Sequence, residues 1–277
     1  SYETSNKRYP VLYFLHWYTG NYTSFASDVS NTANSLLKNG TIKEMIIIFP
    51  DGSNKFRGGM YTNSVTIGNY EDYIAFDLVK YIDSKYRTIP SRHSRALSGV
   101  SMGAYGSFRL GFKHPDIFGA IFGHAGGLYN WALEENIQKS HARLIPKDWT
   151  DFWQTNNWRV HVSWASAAAF SPNPDKPPMY FDYPFKVVDN DIVKIDDIWD
   201  KWLENDVVHL IDDYLSNPLR LRGIAFDHGT SDTASRIQLA RTLDKALTEA
   251  NIPHLYLEHS GGHIGRPNVS LPYFSEI

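Results

Sequence analysis

The chain of 277 residues contains no cysteine. Disulfides, thiolate nucleophiles and cysteine-ligated zinc are therefore excluded. It has no apolar run near the roughly 20 residues that span a bilayer, so no membrane span is expected. Neither sign of charge dominates: 27 Lys and Arg stand against 30 Asp and Glu, for a formal net charge of -3. Such a balance offers no electrostatic case for a nucleic-acid or anionic-membrane partner. Repeats and low-complexity tracts are also absent. No signal peptide is visible. The chain opens on Ser1-Tyr-Glu-Thr close to its first strong strand, which fits a trimmed leader and leaves the compartment open. The oligomeric state is equally open. Asn21, Asn39 and Asn268 head glycosylation-type triplets, a pattern frequent by chance.

Hydrophobic residues make up 42% of the chain, enough for a large core. Short apolar runs at 11–16, 45–49, 95–98, 120–123, 221–226 and 254–258 read as buried strands. Helical spacing lies between them at 25–38, 70–86, 101–114 and roughly 232–250. Alternation of this kind without hairpin turns predicts an α/β fold, a mostly parallel sheet with helices on both faces. The pattern lapses over about 125–218. That stretch carries seven of the eight tryptophans and the proline-rich Ser171–Pro178, and it reads as a lid-like insertion in one domain. The aromatic content of 14% fits core packing, with a binding cleft for rings or sugars as the sharper reading.

Gly99-Val-Ser-Met-Gly103 is the one Gly-x-Ser-x-Gly in the chain. It sits where a strand meets a helix, the setting in which such a serine projects from a strained turn as a nucleophile. The flanking glycines are expected because side chains there would strike the neighbouring strand and helix. A serine hydroxyl needs a base within hydrogen-bond reach, and the base needs an orienting carboxylate. His263, in the glycine loop Ser260-Gly-Gly-His263 after the last strand, is the candidate base. Asp232, beyond a Gly-Thr turn, is the preferred acid, with Asp227 at the strand end as the alternative. Backbone N–H groups of Met102 and Tyr18 are the candidate oxyanion donors. His16 and His124 end strands on the same edge as Ser101 and are candidate substrate contacts.

Together these stretches resemble the esterase D and feruloyl esterase family of α/β hydrolases, related in fold to the antigen 85 mycolyltransferases. Tyr9–His16, Asn21–Phe25, Phe49–Gly52, Leu97–Gly106, His114–Phe118, Asp227–Asp232 and Gly261–His263 carry the likeness. The resemblance implies a Ser101, Asp232, His263 triad, oxyanion donors at Tyr18 and Met102, and no metal or organic cofactor. It implies a carboxylic ester as substrate, either a small molecule or one linked to polysaccharide, such as a feruloyl or acetyl ester. Acyl transfer of the antigen 85 type would use the same triad. A non-catalytic scaffold is the third class, and an intact Ser, Asp and His in fold order argues against it. The chain departs from the family at Trp17, where glycine usual in the family is replaced by a large ring expected beside the acyl group. Strands upstream of Ser1 are also implied.

Overall fold

The computed structural model describes residues 2–126 and 130–277. Six parallel strands form the central sheet: β1 (Val11–Leu15), β2 (Ile46–Ile48), β3 (Arg95–Val100), β4 (Ala120–His124), β5 (Gly223–Gly229) and β6 (Leu255–His259). Their spatial order is β6-β5-β4-β3-β1-β2. In β1 the two-residue period splits a fully apolar strand between two cores. Val11, Tyr13 and Leu15 face one cluster, and Leu12 and Phe14 face the other. Burial on both faces demands helices on both sides.

On the Leu12 face, α1 (Ala26–Lys38) packs against the C-terminal α6 (Pro267–Glu276). Sequence periodicity does not pick out α6, whose helical face is interrupted by Pro272. On the other face lie α2 (Met102–Lys113), buried along nearly its whole length, and the helical stretch 70–85. That stretch winds through a π-helical segment, Tyr73–Leu78, between two short α-helical ones. The extra residue per turn shifts its apolar stripe. Ile74, Ala75, Val79 and Ile82 are buried, whereas Phe76 turns outward, its ring edge against His114.

Between β4 and β5 the chain forms α3 (Glu135–His141), the short helix Trp149–Gln154, α4 (Trp158–Phe170), the hairpin Phe185–Val188 with Asp191–Lys194, and helices Asp196–Leu203 and Leu210–Ser216. Residues 127–129, at the start of the expected insertion, lie outside the described residues. Trp131, Trp164 and Trp202 are fully buried and share one core cluster with the sheet. Packing therefore explains most of the tryptophan excess. Trp153 and Trp158 remain half exposed. Among the described residues no helix is long and apolar enough to cross a membrane.

Candidate active site

Ser101 stands between β3 and α2 with φ 59° and ψ -113°. A non-glycine residue held there stores roughly 1–3 kcal/mol of strain. Bonds on both sides maintain it: Ser101 N–H donates to the His124 carbonyl at 3.0 Å, and Tyr105 N–H donates to the Ser101 carbonyl at 3.0 Å. The glycines are required by contact. A Cβ on Gly103 would lie 2.2 Å from the Leu15 carbonyl oxygen, and one on Gly99 would lie 2.6 Å from the Gly103 backbone.

Asp232 and His263 meet at the same edge of the sheet. Loops after β5 and β6 are stitched together by Thr230 N–H to the His259 carbonyl at 2.7 Å and Ser231 N–H to the Gly261 carbonyl at 3.0 Å. Gly229 permits this approach, since a Cβ there would lie 2.1 Å from the Gly261 oxygen. Asp232 Oδ2 then lies 2.7 Å from His263 Nδ1. Burial disfavours the charged carboxylate, but the Thr233 N–H, His263 and Arg236 outweigh it and hold Asp232 at about 2. For His263, burial is the largest influence and depresses its basicity, Arg236 and His228 adding to it while Asp232 opposes. The imidazole therefore stays neutral, with Nδ1–H donated to Asp232 and Nε2 left as a base.

Asp227 is placed differently. Strand β5 does not stop at Phe226 but runs to Gly229, so Asp227 is interior to it and fully buried. Its Oδ1 meets His124 Nδ1 at 3.0 Å, and Arg266 lies 3.6 Å from Oδ2. His124 is equally buried, its Nε2 on the Ser270 hydroxyl at 2.9 Å. His16 is buried too, with Nδ1–H donated to the Trp17 carbonyl and Nε2 accepting from Gly52 N–H, each at 2.8 Å. Both ring nitrogens of each histidine are thus engaged, and neither His16 nor His124 lines the cavity at Ser101. They brace loops, whereas substrate contact was the expectation for both.

The loop after β1 turns at Thr19, φ 71°, and is tied to residues 56–57 through Thr19 N–H and the Tyr18 hydroxyl. The backbone N–H groups of Tyr18 and Met102 donate to no acceptor among the described residues. Both residues line the cavity with Ser101. Trp17 packs edge-on against Phe25, ring centroids 4.3 Å apart, and does not line it. Its ring is thus held by Phe25, a residue packed on the Leu12 cluster.

The rest of the cavity wall comes from α3, α4 and α5 (Ala234–Glu249). The guanidinium groups of Arg236 and Arg159 lie 4.8 and 5.5 Å from the Trp158 ring centre. Glu134 lies in the same wall, where burial raises its carboxyl despite both arginines. His228, buried on β5, was missed by sequence reasoning. Its Nε2 lies 2.9 Å from Asp232 Oδ2. With Asp232 and His263 it brings three ligand-type atoms within 4.8 Å of one another, but in the present arrangement both ring nitrogens that face Asp232 carry protons and are not free to ligate.

A family model described as "Putative esterase" matches residues 1–266. The chain belongs to this esterase family. Esterase Rv1288 of Mycobacterium tuberculosis is 31% identical over 129 residues, which cover 45% of this chain and 27% of that one. The endo-1,4-beta-xylanase/feruloyl esterase of Xylanibacter ruminicola is 29% identical over 139 residues, covering 49% and 19%. The chain thus spans under a third of the length of either relative. A solved ferulic acid esterase superposes with a TM-score of 0.67 at 21% identity, over 99% of this chain and 88% of that one. That likeness establishes the α/β-hydrolase fold.

Proposed function

We propose that this member of the esterase family hydrolyses carboxylic esters through an acyl-enzyme on Ser101. The observation carrying this reading is the 2.7 Å contact of Asp232 Oδ2 with His263 Nδ1, on the sheet edge that also carries the serine elbow. In this mechanism His263 Nε2 takes the Ser101 proton as Oγ attacks the acyl carbon. Negative charge developing on the carbonyl oxygen is met by the Tyr18 and Met102 N–H groups. His263 returns the proton to the departing alkoxide. Water, deprotonated in turn by His263, then releases the acid. Asp232 keeps the imidazole in its Nδ1–H form and stabilises the imidazolium in each half-reaction.

The insertion, taken as the cover of the acyl site within one domain, supplies most of the residues that line the cavity. Feruloyl or acetyl esters of polysaccharide are the proposed substrates. Half-exposed Trp158 in the cavity wall and the feruloyl esterase named among the relatives support that choice.

Replacement Ser101→Ala tests the reading. Alanine tolerates this backbone no worse than serine, so thermal unfolding should not move. Hydrolysis of p-nitrophenyl acetate should fall by about ten-thousand-fold or more. Substantial residual turnover would remove Ser101 from the mechanism.

A further inference from the structure

Cations beside the Ser101 cavity stand on tryptophan rings without an acidic partner. Arg159 lines the cavity together with Ser101 and Tyr18. Arg57 borders it from the loop that holds Tyr18 in place. The Phe56 carbonyl accepts from the Tyr18 hydroxyl, and the Arg57 carbonyl accepts from Thr19 N–H, each at 2.8 Å. Lys55 lies on the same loop. Among the described residues, none of these three side chains forms an ion pair or donates a hydrogen bond. Arg236, also in the wall, differs in reaching Asp232 Oδ1 at 3.3 Å.

Lys55 Nζ lies 3.6 Å from the centre of the Trp149 ring. The Arg57 guanidinium lies 4.9 Å from the Trp153 centre, and that of Arg159 5.5 Å from the Trp158 centre. Trp153 and Trp158 are each 50% exposed. The quadrupole of a ring attracts and orients a cation but carries no net charge. Positive charge held this way is oriented yet not neutralised. It gathers here in a chain whose net charge is -3, against the overall sign.

Glu134 is the one carboxylate among the cavity-lining residues, against the two guanidinium groups of Arg159 and Arg236. Burial raises its carboxyl despite both arginines, which favours the uncharged form and blunts its repulsion of an anion. A guanidinium also presents paired N–H donors whose spacing matches the two oxygens of a carboxylate.

We infer that Arg57 and Arg159 form an anion subsite beside Ser101, selecting esters that carry a carboxylate close to the scissile bond. The inference rests on the esterase reading of Ser101 and adds a charge requirement to its substrate. The carboxylate can belong to the acyl side or to the alcohol side, and the test separates the two. Amide analogues, which keep binding apart from turnover, are titrated calorimetrically into the intact protein at low ionic strength. On the acyl side glutaric acid monoanilide is compared with butyranilide, and on the alcohol side 4-acetamidobenzoate with acetanilide. In one of these pairs the anion should bind about tenfold more tightly, the size expected of two solvent-exposed charge contacts. That ratio should shrink with added salt. It should collapse towards one in the double variant Arg57→Gln/Arg159→Gln, checked for an unchanged unfolding midpoint. Equal affinity in both pairs, or a preference that survives the double substitution, would overturn the inference. Failure to hydrolyse p-nitrophenyl acetate would instead sink the esterase reading, leaving the binding result to stand or fall by itself.

Discussion

His228 Nε2 lies 2.9 Å from Asp232 Oδ2, the same oxygen that meets His263 Nδ1. An ionised carboxylate can only accept, so both rings donate to it. His228 is fully buried, and its Nδ1 has no hydrogen-bond partner among the described residues. The Asp232 charge that would steady a His263 imidazolium is thus shared with a second donor.

The first prediction concerns the pH profile. His263 must be neutral to act as base. Its basicity is depressed in the folded protein, so kcat/KM should rise with pH through a value below the ordinary imidazole value of about 6.5. Asp232, at about 2, stays ionised throughout. The groups acting on His228 are Asp232, Arg236 from α5, Asp227 on β5, and Glu258 on β6. In His228→Phe, Asp232 Oδ2 serves His263 alone, and one influence lowering His263 is gone. The acid limb of kcat/KM should move to higher pH. On the alkaline plateau the loss should stay well below the ~100- to 10,000-fold expected for losing the base itself. An unmoved limb would reduce His228 to packing.

Asp232 and Asp227 should separate activity from stability. Asp232→Asn presents an amide where His263 needs an acceptor, and kcat should fall by roughly ten-thousand-fold, far beyond what the lost charge contacts cost in stability. Asp227→Asn weakens a fully buried contact with His124 and should cost about 1–3 kcal/mol of stability, with a far smaller kinetic effect. Steady-state kinetics and denaturant unfolding on both variants decide it. The opposite pattern would reassign the acid.

Gly103→Ala should damage folding rather than chemistry. The added methyl would stand 2.2 Å from the Leu15 carbonyl oxygen and 3.0 Å from that of His16. Backbone must move to admit it, at a cost of about 1–3 kcal/mol or more. The unfolding midpoint should drop clearly. A variant as stable as the parent would show that the elbow is looser than these contacts imply.

What the sequence determined by itself was local. Residues 99–103 identify a strand-to-helix turn because the glycines on either side of Ser101 are needed within five residues of chain. The strands of the parallel sheet were legible because burial on both faces makes them continuous apolar runs, as in Val11–Leu15. The helix at 267–276 was not, since Pro272 breaks its pattern. Tertiary structure decided the rest. Whether Asp227 or Asp232 lies near His263 depends on where β5 ends, and β5 is held to Gly229 by pairing with β6, distant in sequence. His228 reaches Asp232 because the chain turns back at Gly229 against the Gly261 loop, so two residues four apart come into contact outside any helix. Trp17 meets the edge of the Phe25 ring, eight residues on, because the loop after β1 folds back before α1. A residue type announces what chemistry it can do. Its neighbours, brought together by strand pairing and loop closure, determine which atoms remain free to do it.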